Sequence, residues 1–265
     1  MNKLLAGVGV AVGLSVLLLF GMKNLQENFI FLPEELPQDY EFRFDKPFEE
    51  KFFEPEGDVV VHGLHFKAEN PKGIILYFHG NAGSLRQWGM VSEDFVPLGY
   101  DILVVDYRTY GKSRGPLSEE ALHKDAEYIF EHLKEEWDES QIIPYGRSLG
   151  TGIALRLGTR FNPEKILLET PYYNFKELAH NHMPFIPTSL LLQYTFRNDE
   201  WIQKTDAKVY MVHGTNDEIV PYQHSVRLSQ YLDNPEEQHW TVEGGNHNNL
   251  GQFDEYRRFL RTVLR

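Results

Sequence analysis

Gly146-Arg147-Ser148-Leu149-Gly150 constrains this chain more than any other stretch. It follows the apolar run Ile142-Ile143-Pro144-Tyr145 and precedes Thr151–Phe161, which suits a helix. Strand, Gly-x-Ser-x-Gly, helix is the sequence form of a nucleophile elbow. The serine has to stand on a sharp turn with a strained backbone, so that its hydroxyl points into open space. Strand and helix pass close to the flanking positions, and glycines at 146 and 150 leave room for them. A helix starting beneath Ser148 brings free N–H groups and a positive dipole end toward any developing anion. Taken alone, the pentapeptide reads equally well as a glycine-rich turn that happens to contain a serine, so the rest of the chain has to decide.

With 265 residues, 42% of them hydrophobic and 25% charged, the chain can fill one well-cored domain with an appendage. Its net charge of -13, from 26 basic and 39 acidic residues, repels phosphate backbones and argues against a nucleic-acid partner. The absence of cysteine excludes disulfides, thiolate metal sites and a cysteine nucleophile. No other metal or cofactor site is expected. His180 and His182 lack a partner at ligand spacing, and the glycines lack a phosphate-loop Lys-Ser/Thr pattern.

Leu4–Met22 carries no charged residue and has about the length a helix needs to cross a bilayer. A cleaved signal is the rival reading, but Gly21, with Leu19 two positions earlier, makes a poor cleavage site. A buried core helix would ordinarily be amphipathic. We therefore expect a single-pass anchor over 1–23, and the mean hydropathy of -0.43 argues against further spans. Lys3 lies before the span, while Glu27, Glu34, Glu35 and Asp39 follow Lys23, which favours a non-cytoplasmic domain. Prolines 33, 37 and 47 make 24–48 an extended connector, whose Phe29, Phe31, Tyr40, Phe42 and Phe44 suit either the domain surface or the lipid interface.

Within 49–265, strands are expected at Glu50–Phe53, Val59–Phe66, Ile74–Phe78, Ile102–Val105, Ile142–Tyr145, Ile166–Leu168, Val209–Val212 and Trp240–Val242. Helices are expected from a cap at Ser118 to about Glu136, after the elbow, and through Phe253, Tyr256, Phe259, Leu260 and Val263. Near-continuous apolar strands alternating with helices predict an α/β fold with a mainly parallel sheet covered on both faces. Pro144 sits awkwardly in a strand that ought to be central.

A serine hydroxyl needs a base, and the base needs an orienting group. Ser148, Asp217 and His247 follow predicted strands in that chain order, at the strand ends where open parallel sheets gather their functional residues. Glu169 also ends a strand, and Glu218 adjoins Asp217, so both remain alternative acids; His79 and His213 read as packed structural histidines.

The stretches FHGNAGS (78–84), DYRTYGKS (106–113), GRSLG (146–150), HGTNDEIVP (213–221) and GGNHNNL (244–250) resemble those of α/β-hydrolases, in particular small membrane-anchored serine hydrolases of the alpha/beta-hydrolase-domain type. That resemblance implies a Ser148–Asp217–His247 triad, with the backbone N–H groups of Asn81 and Leu149 as oxyanion donors and no cofactor. Thr109 departs from the glycine that relatives usually carry in the DYRGYG loop. The segment 172–206, too long for an ordinary connection, suits a small helical cap whose Met183, Pro184, Phe185, Ile186, Pro187, Leu190, Leu191, Leu192, Tyr194 and Phe196 would cover an acyl group. The same residues could instead complete the core. The expected activity is hydrolysis of carboxylic esters or thioesters of acylated, lipid-like substrates. The alternatives are a serine peptidase on the same fold and a membrane-tethered binding protein without catalysis.

Overall fold

The computed structural model describes residues 26–185 and 191–265. The predicted span over 1–23 and the cap residues Ile186, Pro187 and Leu190 lie outside them. Eight strands build the main sheet: β1 (Phe48–Phe53), β2 (Val61–Phe66), β3 (Ile74–Phe78), β4 (Asp101–Val105), β5 (Ile142–Arg147), β6 (Lys165–Glu169), β7 (Lys208–Gly214) and β8 (His239–Val242). Their order is β1-β2-β4-β3-β5-β6-β7-β8. β2 runs antiparallel to both β1 and β4, and every other neighbouring pair is parallel.

The apolar run of β3 shows why the sheet is parallel and central. Ile74, Leu76 and Phe78 enter one core, while Ile75 and Tyr77 enter the other. With both faces buried, every position must be apolar. α1 (Glu119–Leu133) and α2 (Gly150–Leu157) cover the first face, placing Leu122, Ile129 and Ile153 in that core. α4 (Asp254–Val263) covers the second with Tyr256, Phe259, Leu260 and Val263. Burying a side chain such as Phe259 contributes about 1.5–3 kcal/mol. Ser118 caps α1 as expected, its Oγ accepting the Ala121 N–H at 3.1 Å.

Pro144 is accommodated within β5. It lies opposite Leu76 of β3, but pairing toward β6 begins only at Tyr145↔Leu167, so no ladder donor is needed from Pro144 on that side. β2 starts at Val61 rather than Val59, and α2 ends at Leu157 rather than Phe161.

The connector is bonded into the domain. Leu32–Pro33 pairs in parallel with Ala82–Gly83, and Leu36 and Gly111 are joined by a backbone hydrogen bond of 2.9 Å. Phe31 and Phe42 are buried, whereas Phe29 is 78% exposed. Among the described residues, no helix is long and apolar enough to cross a membrane. In the segment proposed as a cap, α3 (Phe175–His182) is helical. Tyr194 and Phe196 join the main core instead, and Met183 and Phe185 are exposed.

Candidate active site

The expected triad and oxyanion residues follow the carboxyl ends of parallel strands: Asn81 after β3, Ser148 and Leu149 after β5, Asp217 after β7 and His247 after β8. Parallel neighbours put those ends along one edge of the sheet.

Ser148 has φ +51°, in the left-handed region that a residue with a side chain occupies only under strain. The surroundings enforce this turn. The Ser148 N–H donates to the Glu169 carbonyl at 2.9 Å, and the Ser148 carbonyl accepts the Thr151 N–H at 3.0 Å and the Thr151 hydroxyl at 2.7 Å. A Cβ on Gly146 would collide with the Gly150 carbonyl, and one on Gly150 with the Phe78 carbonyl. The two glycines therefore meet a steric demand.

His247 Nδ1 donates to Asp217 Oδ2 at 2.7 Å, with both residues largely buried. Asp217 Oδ1 accepts the N–H groups of Ile219 and Val220 at 2.9 and 2.8 Å. Burial alone would raise the Asp217 carboxyl. Hydrogen bonds from His213 and His247, with Val220 behind them, overcome it and hold the group well below the usual carboxylate range. No hydrogen bond joins Ser148 to His247 among the described residues; such bonds are often long in the free enzyme and tighten with substrate.

The HGN loop is held from several sides. His79 Nδ1 donates to the Gly80 carbonyl at 2.6 Å. Because the following peptide is trans, this fixes the opposite direction for the Asn81 N–H. The Asn81 carbonyl accepts Tyr110 Oη at 2.6 Å and the Leu32 N–H at 2.9 Å, and Tyr107 Oη donates to the His79 carbonyl at 2.6 Å. The tyrosines of DYRTYGKS thus fasten the loop that carries Asn81. Among the described residues, neither the Asn81 nor the Leu149 backbone N–H has an intramolecular acceptor.

Glu169 is engaged away from His247. Its Oε2 accepts Tyr145 Oη at 2.6 Å and Tyr256 Oη at 3.1 Å, and its Oε1 lies 3.2 Å from Arg147 Nε. Glu218 is exposed. Of the candidate acids, the structure brings Asp217 alone to His247.

Two contributors were not anticipated. His213 is fully buried, donating through Nε2 to the Val220 carbonyl at 2.9 Å while lying 3.2 Å from Asp217 Oδ2. The four-residue spacing of His213 and Asp217 was the available signal. Arg147 Nη2 donates to the His247 carbonyl at 2.8 Å and to Asn248 Oδ1 at 3.0 Å, and its guanidinium lies over the Trp88 ring at 5.0 Å. Burial would lower the Arg147 pKa, but Glu169, together with Tyr77, Tyr256 and Tyr145, overcomes it and raises the pKa above the ordinary value.

A cavity of about 620 Å³ opens at Ser148, Leu149 and Asn81, and Tyr172, Phe175 and Leu178 are among its apolar walls. A wider groove of about 770 Å³ along α1 is lined by charged groups, including Glu119, Lys124 and Arg156, and contains none of these residues. Among the described residues, no cluster of three metal-ligating side chains is present. His182 spends its Nε2 on the Ile219 carbonyl at 2.7 Å.

Residues 69–194 match the family model described as serine aminopeptidase, S33. The chain is 30% identical over 202 residues to human alpha/beta hydrolase domain-containing protein 17B, covering 74% of this chain and 67% of the relative. It is 29% identical over 199 residues to the lysophosphatidylserine lipase ABHD12 of Danio rerio, covering 64% of this chain and 50% of the relative. The chain thus spans about half the length of that lipase. The esterase Pf2001 of Pyrococcus furiosus superposes with a TM-score of 0.67 at 16% identity, over 89% of this chain and 98% of the esterase, a likeness of fold. The chain belongs to the α/β-hydrolase family.

Proposed function

We propose that the chain hydrolyses carboxylic esters or thioesters of acylated, lipid-like substrates through Ser148, His247 and Asp217. The observation that carries this reading is the 2.7 Å His247–Asp217 pair on the same sheet edge as a strained serine that opens into an apolar cavity. His247 takes the proton of Ser148 as the hydroxyl oxygen attacks the acyl carbonyl. The N–H groups of Asn81 and Leu149 stabilise the oxyanion, and His247 returns the proton to the departing alcohol or thiol. Water then enters and attacks the acyl carbonyl as His247 takes its proton; the acyl–Oγ bond breaks to release the acid, and His247 returns the proton to Ser148 Oγ. Residues 1–23 anchor the enzyme in a membrane, 24–48 connect, and 49–265 form the hydrolase domain with a cap over about 172–206.

The name of the ABHD12 relative points to a single-chain lysophospholipid as one member of this substrate class. An aminopeptidase would need a carboxylate near the nucleophile to receive the substrate ammonium, and among the described residues the cavity lining includes no Asp or Glu. The test is a panel of p-nitrophenyl esters of increasing chain length, with an acyl thioester and a peptide amide alongside. Turnover should rise with chain length, be negligible on the amide, and vanish in Ser148→Ala together with fluorophosphonate labelling. Labelling that persists at another serine, or preference for the amide, overturns the reading.

A further inference from the structure

We propose that the mouth of the 620 Å³ cavity is a docking surface for the acyl region of a phospholipid leaflet, so that an acyl chain passes from the bilayer to Ser148 without crossing water. This rests on the reading of Ser148 as the nucleophile and of residues 1–23 as a membrane anchor.

Large apolar side chains are rarely left in water without a function when they cluster. Phe29, Met183 and Ile219 line this cavity and are 78%, 41% and 47% exposed. Phe185, two residues beyond Met183, is 99% exposed. They come from three separate parts of the chain: the short helix Glu27–Ile30, the end of α3, and the loop after Asp217. The cavity lining behind them is predominantly apolar up to Ser148 and Asn81.

The tether decides what covers this rim. The charge-free stretch Leu4–Met22 ends four residues before Gln26, which itself lines the cavity. Four residues reach at most about 14 Å when fully extended. A span that leaves the bilayer near Met22 therefore holds the rim of the cavity at the membrane surface. There Phe29 and Phe185 have an apolar medium within reach, as aromatic residues at membrane interfaces do. The net charge of -13 gives the domain no coulombic attraction to anionic headgroups, so the contact is apolar and suited to a neutral leaflet.

The absence of cysteine allows the contact to be read directly. Phe185→Cys, Phe29→Cys and, as a reference away from the cavity, Tyr128→Cys are each labelled with an environment-sensitive nitrobenzoxadiazole in the full chain. The proteins are reconstituted in phosphatidylcholine vesicles containing acyl-chain spin-labelled phosphatidylcholine. Quenching at 29 and 185 should exceed that at 128 at least threefold and be nearly independent of salt. Equal quenching at all three positions overturns the proposal. So does a label at 185 that is shielded from added iodide yet indifferent to the lipid quencher, which would mean that residues 1–25 cover the rim. Quenching that disappears on dilution of protein in the bilayer also overturns it, assigning the rim to a second copy. In parallel, Phe185→Asp should raise the ratio of KM on a vesicle-embedded ester to KM on a dissolved ester about tenfold; an unchanged ratio counts against the proposal. If a fluorophosphonate fails to label Ser148 in the unaltered protein, the hydrolytic reading fails, while the quenching still decides the docking.

Discussion

At the scale of single residues, the site is a set of groups each held by a neighbour. Asp217 illustrates this: two backbone N–H groups fix one carboxylate oxygen, and the other faces His247 with His213 beside it. Asp217→Asn should fold but orient His247 poorly, with kcat falling on the order of ten-thousandfold, as for the equivalent change in a serine protease. Near-normal turnover would remove Asp217 from the mechanism. Arg147 acts one step further back. Its fork ties the Glu169 carboxylate to the backbone carbonyl of His247 and so fixes the loop that carries the imidazole. Arg147→Lys keeps a charge beside Glu169 but cannot make both contacts. It should lower kcat by roughly ten- to a hundredfold, the range expected from small misplacements at a reacting centre, with little change in KM. Arg147→Ala should in addition destabilise the fold by about 3–5 kcal/mol, because Glu169 loses its charge partner. If KM rises and kcat does not fall, Arg147 contacts substrate instead of positioning His247.

At the scale of elements, the legible parts were those whose local chemistry has a single solution. β3 could be read because a strand buried on both faces must be apolar throughout, and α1 because Ser118 caps an apolar stripe of helical spacing. Ser148, Asp217 and His247 were legible as types at strand ends, and the structure brings the last two into contact. What could not be read depends on which side chains meet in space. The Glu169–Arg147 link to the His247 loop spans 100 residues, and the contact of His213 with Asp217 depends on how the loop between them turns. The docking of the connector was equally hidden, since Leu32–Pro33 pairs with a strand of two residues. Thr109 is a case where a sequence departure has a local consequence. Its φ is +75°, a region that β-branched residues avoid. Relieving that strain is worth about 1–2 kcal/mol, and the extra freedom of glycine in the unfolded chain returns about 0.5–1. Thr109→Gly should therefore stabilise the protein by about 0.5–1 kcal/mol in urea unfolding; destabilisation would show that the threonine side chain makes a contact that matters more.

For the whole molecule, the consequence of so many buried polar groups is sensitivity to acid. Burial pushes His224 and His239 down to about 4 from the ordinary 6.5, and His62 is shifted the same way, also chiefly by burial. Hydrogen bonding at His224 reinforces the effect. Its Nδ1 accepts the Tyr173 N–H at 3.0 Å, so a proton added at Nδ1 would point at an N–H. With folded values below the unfolded ones, the unfolded chain takes up protons first as pH falls. Stability is thus complete above about pH 6.5, declines between about 6.5 and 4, and loses nothing more from His224 and His239 below that. Each of these two contributes up to about 3 kcal/mol to the decline, from a gap of roughly 2.5 units at 1.36 kcal/mol per unit. Asp217 behaves differently: its carboxyl is depressed, so its contribution is intact through this window and is lost only at still lower pH. Urea midpoints taken from pH 7.5 to 4 should fall steadily, and the fall should be shallower in His239→Gln, which removes one of the titrating rings. His239 is the better position for this variant because, among the described residues, its ring makes one hydrogen bond, to Ser225 Oγ at 3.0 Å, whereas His224 links two segments. A midpoint that stays flat to pH 5 in the unaltered protein would show that these histidines are solvated in the folded state.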